Sequence, residues 1–368
     1  MKHKRGTPDF LLLFLTLGMV GFGIVMIFSA SFTISYWNMG NRWFFTERQL
    51  LWAGIGFITM SITMNIPFRF YKEKFVYFLL GSILLLALVF VPGLGQLRNG
   101  ARSWIGIGSF TVQPSEFAKL GLIVYLAGLM AKKGDKMRSF KHGLLPPLII
   151  TLFIFGMIAM QPDLGTGMII VLTAGVMIIA AGANLKHILY LGLIGTIALI
   201  PIVIAKSYRV SRFTSYMDPW KDPWGSGYQL IQSLLALGNG GIFGTGFGKG
   251  IQKFFYLPYP QSDFIFSVMG EELGLVGVTL FLLIYLLLLW RALVVSLRTK
   301  DPFGALVGVG IVTLLGIQAF INIGGVTGTI PITGVPLPFI SAGGSALIMS
   351  MTAMGIILSL SRENNKGQ

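Results

Sequence analysis

The chain has 368 residues, 54% of them hydrophobic and 11% charged, where a soluble domain carries about 25% charged residues. That balance excludes a soluble globular protein, and the absence of cysteine excludes disulfides, thiolate metal sites and cysteine nucleophiles. A net charge of +15 suggests nucleic acid at first, but no soluble basic domain exists to bind it, and basic loops on the cytoplasmic face of a membrane explain the charge more simply.

In chain order, Met1 to Arg5 and the apolar run from Phe10 have the look of a secretory signal, and "FSAS" near residue 30 could pass for a cleavage site. The run is about 20 residues long and more follow, which favours an uncleaved first span. Apolar runs predict spans near 10–31, 49–66, 75–92, 115–131, 144–160, 165–182, 187–205, 264–297, 303–327 and 343–361. The fold class is therefore an all-α polytopic membrane protein of about ten transmembrane helices, a single domain over 1–368. A long extracellular loop, about 206–263, joins helices 7 and 8 and is the only segment large enough for extramembrane structure. Within it, "SLLALGNGG" is too short to span and suits a helix lying at the interface. The eighth run is too long for one straight crossing. Its start, with Glu271 and Glu272, is expected at the interface or lining a cavity.

An even number of spans puts both termini on one side, and the cations say which. With the N-terminus inside, the inner segments hold Lys2, Lys4 and Arg5; Arg69, Lys72 and Lys74; the cluster from Lys132 to Lys141; Lys186; Arg291, Arg298 and Lys300; and Arg362 and Lys366. The short outer loops hold only Arg42, Arg48, Arg98 and Arg102. Both termini are thus expected in the cytoplasm. No internal repeat is evident. The Gly- and Pro-broken stretch 328–344 has no clear mate in the first half, unlike the paired broken helices of inverted-repeat transporters.

Several motifs carry polar groups to the outer ends of spans. "RNGARSWIG" places Arg98 and Arg102 before the fourth span, either as a solvated loop or as forks for phosphate oxygens. "QPSEFAKL" opens that span. Glu116 and Lys119 share one helix face, as an internal salt bridge or as the wall of a site, and both readings imply a polar cavity opening outward. In "QPDLGTG", Asp163 either caps the next helix or has a chemical role. "KSYRVSRFTSYMDPWKDPWGSGYQ" mixes cations, including Arg209 and Arg212, with Tyr216, Trp220 and Trp224. The cations suit an anionic lipid head group, and the rings suit sugar faces or the membrane interface. "GNGGIFGTGFGKG" fails the phosphate-loop pattern: Phe243 stands at the first glycine and Gly250 at the Ser/Thr, so a flexible turn is the simpler reading. "FFYLPYPQSDFIFSVMGEELG" sets Asp263 before an apolar run. Asp263 suits a helix N-cap kept ionised by the helix dipole, and the same ionised state is what a general base needs.

These motifs, with "GTGFGKGIQKFFYLPYPQSDFIFSVMGEELG" and "TGVPLPFISAGGS", occur in an order that resembles the SEDS proteins: FtsW, RodA and SpoVE of bacterial wall synthesis. The wording around "KFFYLPYPQSDFIF" looks most like FtsW or SpoVE. The resemblance implies a multi-pass protein of the bacterial cytoplasmic membrane. It implies a peptidoglycan glycosyltransferase that polymerises lipid II at the outer face, partnered by a class B penicillin-binding protein transpeptidase. It maps the family's essential aspartate onto Asp263, and its buried Glu/Lys pair onto Glu116 and Lys119. Ser262 stands where threonine is common and keeps a hydroxyl beside the base. Ala342 stands where an aromatic is common.

A lipid pyrophosphate leaves without protonation once cations neutralise it. One base, Asp263, therefore suffices, unlike the carboxylate pairs of most glycosidases. Arg98, Arg102, Lys119, Arg209, Arg212 and Lys253 are the candidates to hold pyrophosphate, and Glu116, Gln261 and Ser262 complete the substrate-binding set. No motif specifies a metal, although a divalent cation held by outer carboxylates could assist. Two rivals remain: a lipid II flippase, and a scaffold that only positions the penicillin-binding protein.

Overall fold

Caps and prolines open the helices where the apolar runs begin. The Asp9 carboxylate accepts the Leu12 amide at 2.9 Å and starts α1 (Phe10–Met39). Four more elements carry the chain on: α2 (Phe44–Asn65), the short α3 (Phe68–Glu73), α4 (Phe75–Leu88), and α5 (Pro114–Lys133) with its proline at the first turn. A 3₁₀ turn and a π turn lead into α6 (Leu145–Ala159), then α7 (Leu164–Ala180) and α8 (Leu185–Ile204). Next come α9 (Ser207–Met217), α10 (Tyr228–Gly240), α11 (Ile265–Leu297), α12 (Pro302–Val326) and α13 (Gly344–Asn364). The computed structural model describes residues 6–98, 101–107, 110–204 and 207–365.

Each of the ten expected spans meets a helix. Among the described residues six helices are long and apolar enough to cross a bilayer by length and composition, and α4, α7 and α8 provide shorter apolar helices. The remaining one, α2, carries Glu47 and Arg48 near its start. Most of α5, α12 and α13 is buried inside the bundle. Leu80, Phe153, Leu193 and Leu283 turn outward, as apolar side chains do where lipid is the solvent. Polar pairs fasten helices in the interior: Thr352 Oγ1 donates to Thr59 Oγ1 at 3.0 Å, joining α13 to α2.

Both termini lie at one end of the bundle. The Gly6 amide donates to the Arg362 carbonyl at 3.0 Å, and Asp9 pairs with Arg291 at 2.6 Å. At the same end, Lys72 pairs with Asp301 at 2.7 Å.

The helical fold carries one small addition. Between α4 and α5 the chain forms a three-stranded antiparallel sheet: β1 (Gly95–Arg98), β2 (Ala101–Ile107) and β3 (Phe110–Val112). The long loop is therefore not the only segment with structure outside the spans. The sequence between β1 and β2 reads Asn-Gly, a dipeptide that favours hairpin turns, but the flanking strands are too short for their alternation to stand out. The long loop itself holds α9 and α10, and α10 is the helix expected from "SLLALGNGG".

The eighth run, too long for one straight crossing, is one kinked helix. Gly274, at φ 67° and ψ −173°, divides α11 into a short first piece and a long second one. That conformation is open essentially to glycine alone, and a Cβ there would run into the Gly244 amide.

Candidate active site

Asp263 lies just before α11, half-buried, at the end of the bundle opposite the termini. It is not the expected N-cap. Phe264 occupies that position and makes no side-chain capping bond. The Asp263 carboxylate accepts instead from the Ser262 hydroxyl at 2.8 Å. Burial pushes its pKa above the usual carboxylate range; the Ser262 bond and the Arg212 charge offset this only in part.

The broken stretch after α12 surrounds this carboxylate. Gly334 lies beside it, where an added methyl would stand 3.6 Å from Asp263 Oδ2. Arg212 of α9 donates to the Ile332 carbonyl at 3.3 Å, and Tyr216 donates to the Thr329 carbonyl at 3.0 Å. α9 is thereby fixed along this stretch with an exposed guanidinium near Asp263. The Ala342 amide bonds the Gln261 carbonyl at 2.9 Å, and Ser341 Oγ bonds the Ser262 carbonyl at 2.7 Å. Asn322 Nδ2 of α12 bonds the Asp263 carbonyl at 2.9 Å. Gln261 is buried and its side-chain oxygen has no partner. Sequence reasoning singled out Gln261, Ser262, Asp263 and Arg212 but missed Asn322 and Ser341. An asparagine inside an apolar span was the available signal.

Glu116 and Lys119 form a 2.8 Å ion pair inside α5, with 5% and 2% of each residue exposed. Asp163 lies close enough for both charges to act on it. Its carboxylate accepts from Gln113 Nε2 at 3.1 Å and caps α7 through the Thr166 amide at 3.1 Å, which bears out the capping reading. Gly165, next on that turn, packs against Thr333. The pair is thus linked to the Asp263 region through packed protein. The outward-opening polar cavity expected there is not what the structure shows. The void beside Lys119 is about 10 Å³ and otherwise lined mainly by apolar side chains such as Leu122, Ile123 and Met177, space for at most one water.

Lys253, like Lys119, is a buried cation with its own counter-ion. Its ammonium is buried and bonded to Glu272 at 2.6 Å and Ser29 at 3.0 Å. Glu272 also accepts from the Gly248 amide, and Glu271 from the Ile251 and Gln252 amides. The amides of this glycine-rich loop therefore cradle two carboxylates of the chain itself, and the loop is fixed rather than the flexible turn its composition suggested. The physical cause is the cost of burying those carboxylates without partners. Lys253 already has a counter-ion where it sits, which argues against its place in the expected pyrophosphate clamp.

Arg102 lies exposed on β2, its Nε bonded to the Gly95 carbonyl at 3.2 Å. The sheet reaches the Asp263 end of the bundle, because the Gln113 amide after β3 donates to Ser345 Oγ at the start of α13. The side chains of Arg98 and Arg209 lie outside the described residues. Trp220 and Trp224 are exposed, as platforms would be. Among the described residues no three His, Asp or Glu side chains converge to hold a metal.

A family model described as cell cycle protein, for FtsW, RodA and SpoVE, matches residues 10–366. Stage V sporulation protein E of Bacillus subtilis (strain 168) is 47% identical over 362 residues, covering 98% of this chain and 99% of the relative. Probable peptidoglycan glycosyltransferase FtsW of Geobacter sp. (strain M18) is 42% identical over 353 residues, 96% of each chain. Among solved structures, a chain from a study of polymerization and crosslinking by a peptidoglycan synthase complex superposes with a TM-score of 0.80 at 31% identity, covering 97% of this chain and 98% of that one. Rod shape determining protein RodA of Thermus thermophilus superposes with a TM-score of 0.72 at 29% identity, covering 97% of each.

Proposed function

The chain belongs to the FtsW, RodA and SpoVE family of cell cycle proteins, it is a peptidoglycan glycosyltransferase, and on that premise we propose that Asp263 is its general base and lipid II its substrate. The observation that carries the proposal is the half-buried Asp263 carboxylate, bonded to one hydroxyl and facing Arg212, at the end of the bundle away from both termini. A carboxylate made more basic by burial accepts a proton more readily than an exposed one.

In this reading Asp263 takes the proton from the acceptor sugar's 4-hydroxyl. The freed oxygen attacks the donor's anomeric carbon from the face opposite the pyrophosphate, forming the new glycosidic bond with inversion. The carbon–oxygen bond to pyrophosphate breaks and its electron pair stays on the phosphate. Arg212, exposed beside the carboxylate, holds that charge in this reading, with the exposed Arg102 as a further cation. Glu116 and Lys119 stiffen the wall behind the site. The site end faces the outside of the cytoplasmic membrane and both termini face the cytoplasm. A class B penicillin-binding protein transpeptidase is the partner, in keeping with the peptidoglycan synthase complex to which the chain is similar.

The test is lipid II polymerisation by purified Asp263→Asn protein, still folded and partner-bound. The rate should fall by at least about 100-fold, the range of general-base contributions. A wild-type rate would sink the assignment. Fluorescent lipid II in proteoliposomes separates polymerisation from flipping, and a scaffold role would tolerate Asp263→Ala.

A further inference from the structure

We propose that Asn322 and Ser341 are positioning residues for Asp263: with the Ala342 amide they clamp three successive carbonyls and so fix where the carboxylate stands. The inference rests on the reading of Asp263 as the base.

The Gln261, Ser262 and Asp263 carbonyls accept from Ala342 N at 2.9 Å, Ser341 Oγ at 2.7 Å and Asn322 Nδ2 at 2.9 Å. All three donors come from beyond residue 320, and none from the turn's own helix α11. The two side chains hold a second point each. Asn322 Nδ2 also donates to the Val335 carbonyl at 2.8 Å, and Ser341 Oγ accepts the Leu337 amide at 2.8 Å. The base is therefore registered against the stretch 335–342 as well as against the helix that it precedes.

The clamp is braced from behind. Phe339, inside the same turn, takes a left-handed φ of 67°, a conformation that a bulky residue keeps only where its surroundings over-determine it. α1 backs this turn at Gly23, where a Cβ would strike the Phe339 carbonyl. Both clamp residues are 4% exposed.

The simpler alternative is that Asn322 and Ser341 only satisfy buried carbonyls. The two readings differ in kinetics. A base displaced by about 1 Å can lose about 100-fold in rate while substrate still binds. General loosening of the fold lowers the amount of active protein, whatever residue stands at 263.

The experiment is steady-state lipid II polymerisation by the full chain in nanodiscs. Ser341→Ala and Asn322→Leu should each lower kcat by about tenfold or more, with KM for lipid II held within about twofold. Ser341→Thr, which keeps the hydroxyl, should restore most of the rate. In an Asp263→Asn background, either change should have no further effect on residual turnover, because residues acting as one unit are not additive. Ser359→Ala removes a buried hydroxyl bonded to the Ile66 carbonyl, distant in the bundle from Asp263, and should leave kcat unchanged. An unchanged kcat in Ser341→Ala, a rise in KM alone, or a further loss in the Asp263→Asn background would overturn the clamp. If Asn322→Leu does not fold, Ser341→Ala decides. A wild-type rate in Asp263→Asn alone would remove the base assignment, and the clamp inference with it. An inactive Asp263→Asn beside a fully active Ser341→Ala removes only the clamp.

Discussion

Lys253→Met removes the positive half of a buried ion pair and leaves the negative half in place. The ammonium and the Glu272 carboxylate are 2.6 Å apart, with side chains 4% and 0% exposed. At that separation, and an effective dielectric of about 20, the gross attraction is about 6 kcal/mol, most of it offset by the desolvation of both charges. Truncating one partner is different, because Glu272 keeps its desolvation cost and retains only Ser29 and the Gly248 amide. Such losses run at about 3–5 kcal/mol. For a chain this long, that lowers the melting temperature by roughly 4–7 °C. The assay is thermal unfolding of purified protein, paired with the KM for lipid II. The structure predicts a large drop in Tm, with partial recovery in the double change Lys253→Met, Glu272→Gln. A Tm within about 1 °C of wild type together with a raised KM would refute this reasoning and return Lys253 to the pyrophosphate clamp.

Asp263 gives a pH prediction whose sign follows from its raised pKa. As the base it must be ionised, so activity should fall as pH drops through a value above the ordinary 3.8, visible as the acid limb of the kcat/KM profile. Its effect on stability runs the other way. The folded state holds the proton more tightly than the unfolded one, so this contribution is full below the unfolded pKa and is lost as pH rises through the folded value. Asp263→Asn should therefore melt higher than wild type at neutral pH, with the gap closing in acid, and equal Tm values at neutral pH would contradict the burial argument. Gly274→Ala forces a side chain onto a glycine-only conformation and into the Gly244 amide. It should cost at least about 3 kcal/mol and is checked by the yield of monodisperse protein; a normally folded variant would show that the break in α11 can move.

Much of the fold was legible because its causes are local. Apolar runs placed a helix at each of the ten expected spans, and an even span count placed the termini together, where Asp9, Arg291 and Arg362 now join them. Asp163 read as a cap and is one, because a cap needs only the next turn of its own helix. The excess length of the eighth span signalled the break at Gly274, although not its position. Asp263 also read as a cap and is not one. Its neighbours come from α9, from α12 and from the stretch after it, more than 50 residues away in sequence. The small sheet escaped notice because strands of three to seven residues carry too little alternation to identify.

The sequence by itself determined a multi-pass helical bundle and the end of it that gathers the polar motifs. Hydrophobic run length and side-chain chemistry suffice for that. Tertiary structure alone decided which cations remain free and which are already neutralised, since Lys253 meets Glu272 only after the glycine-rich loop folds onto α11. It alone decided how Asp263 is held. Buried carbonyls in irregular backbone must find donors wherever the fold supplies them, and here the donors are Asn322, Ser341 and Ala342.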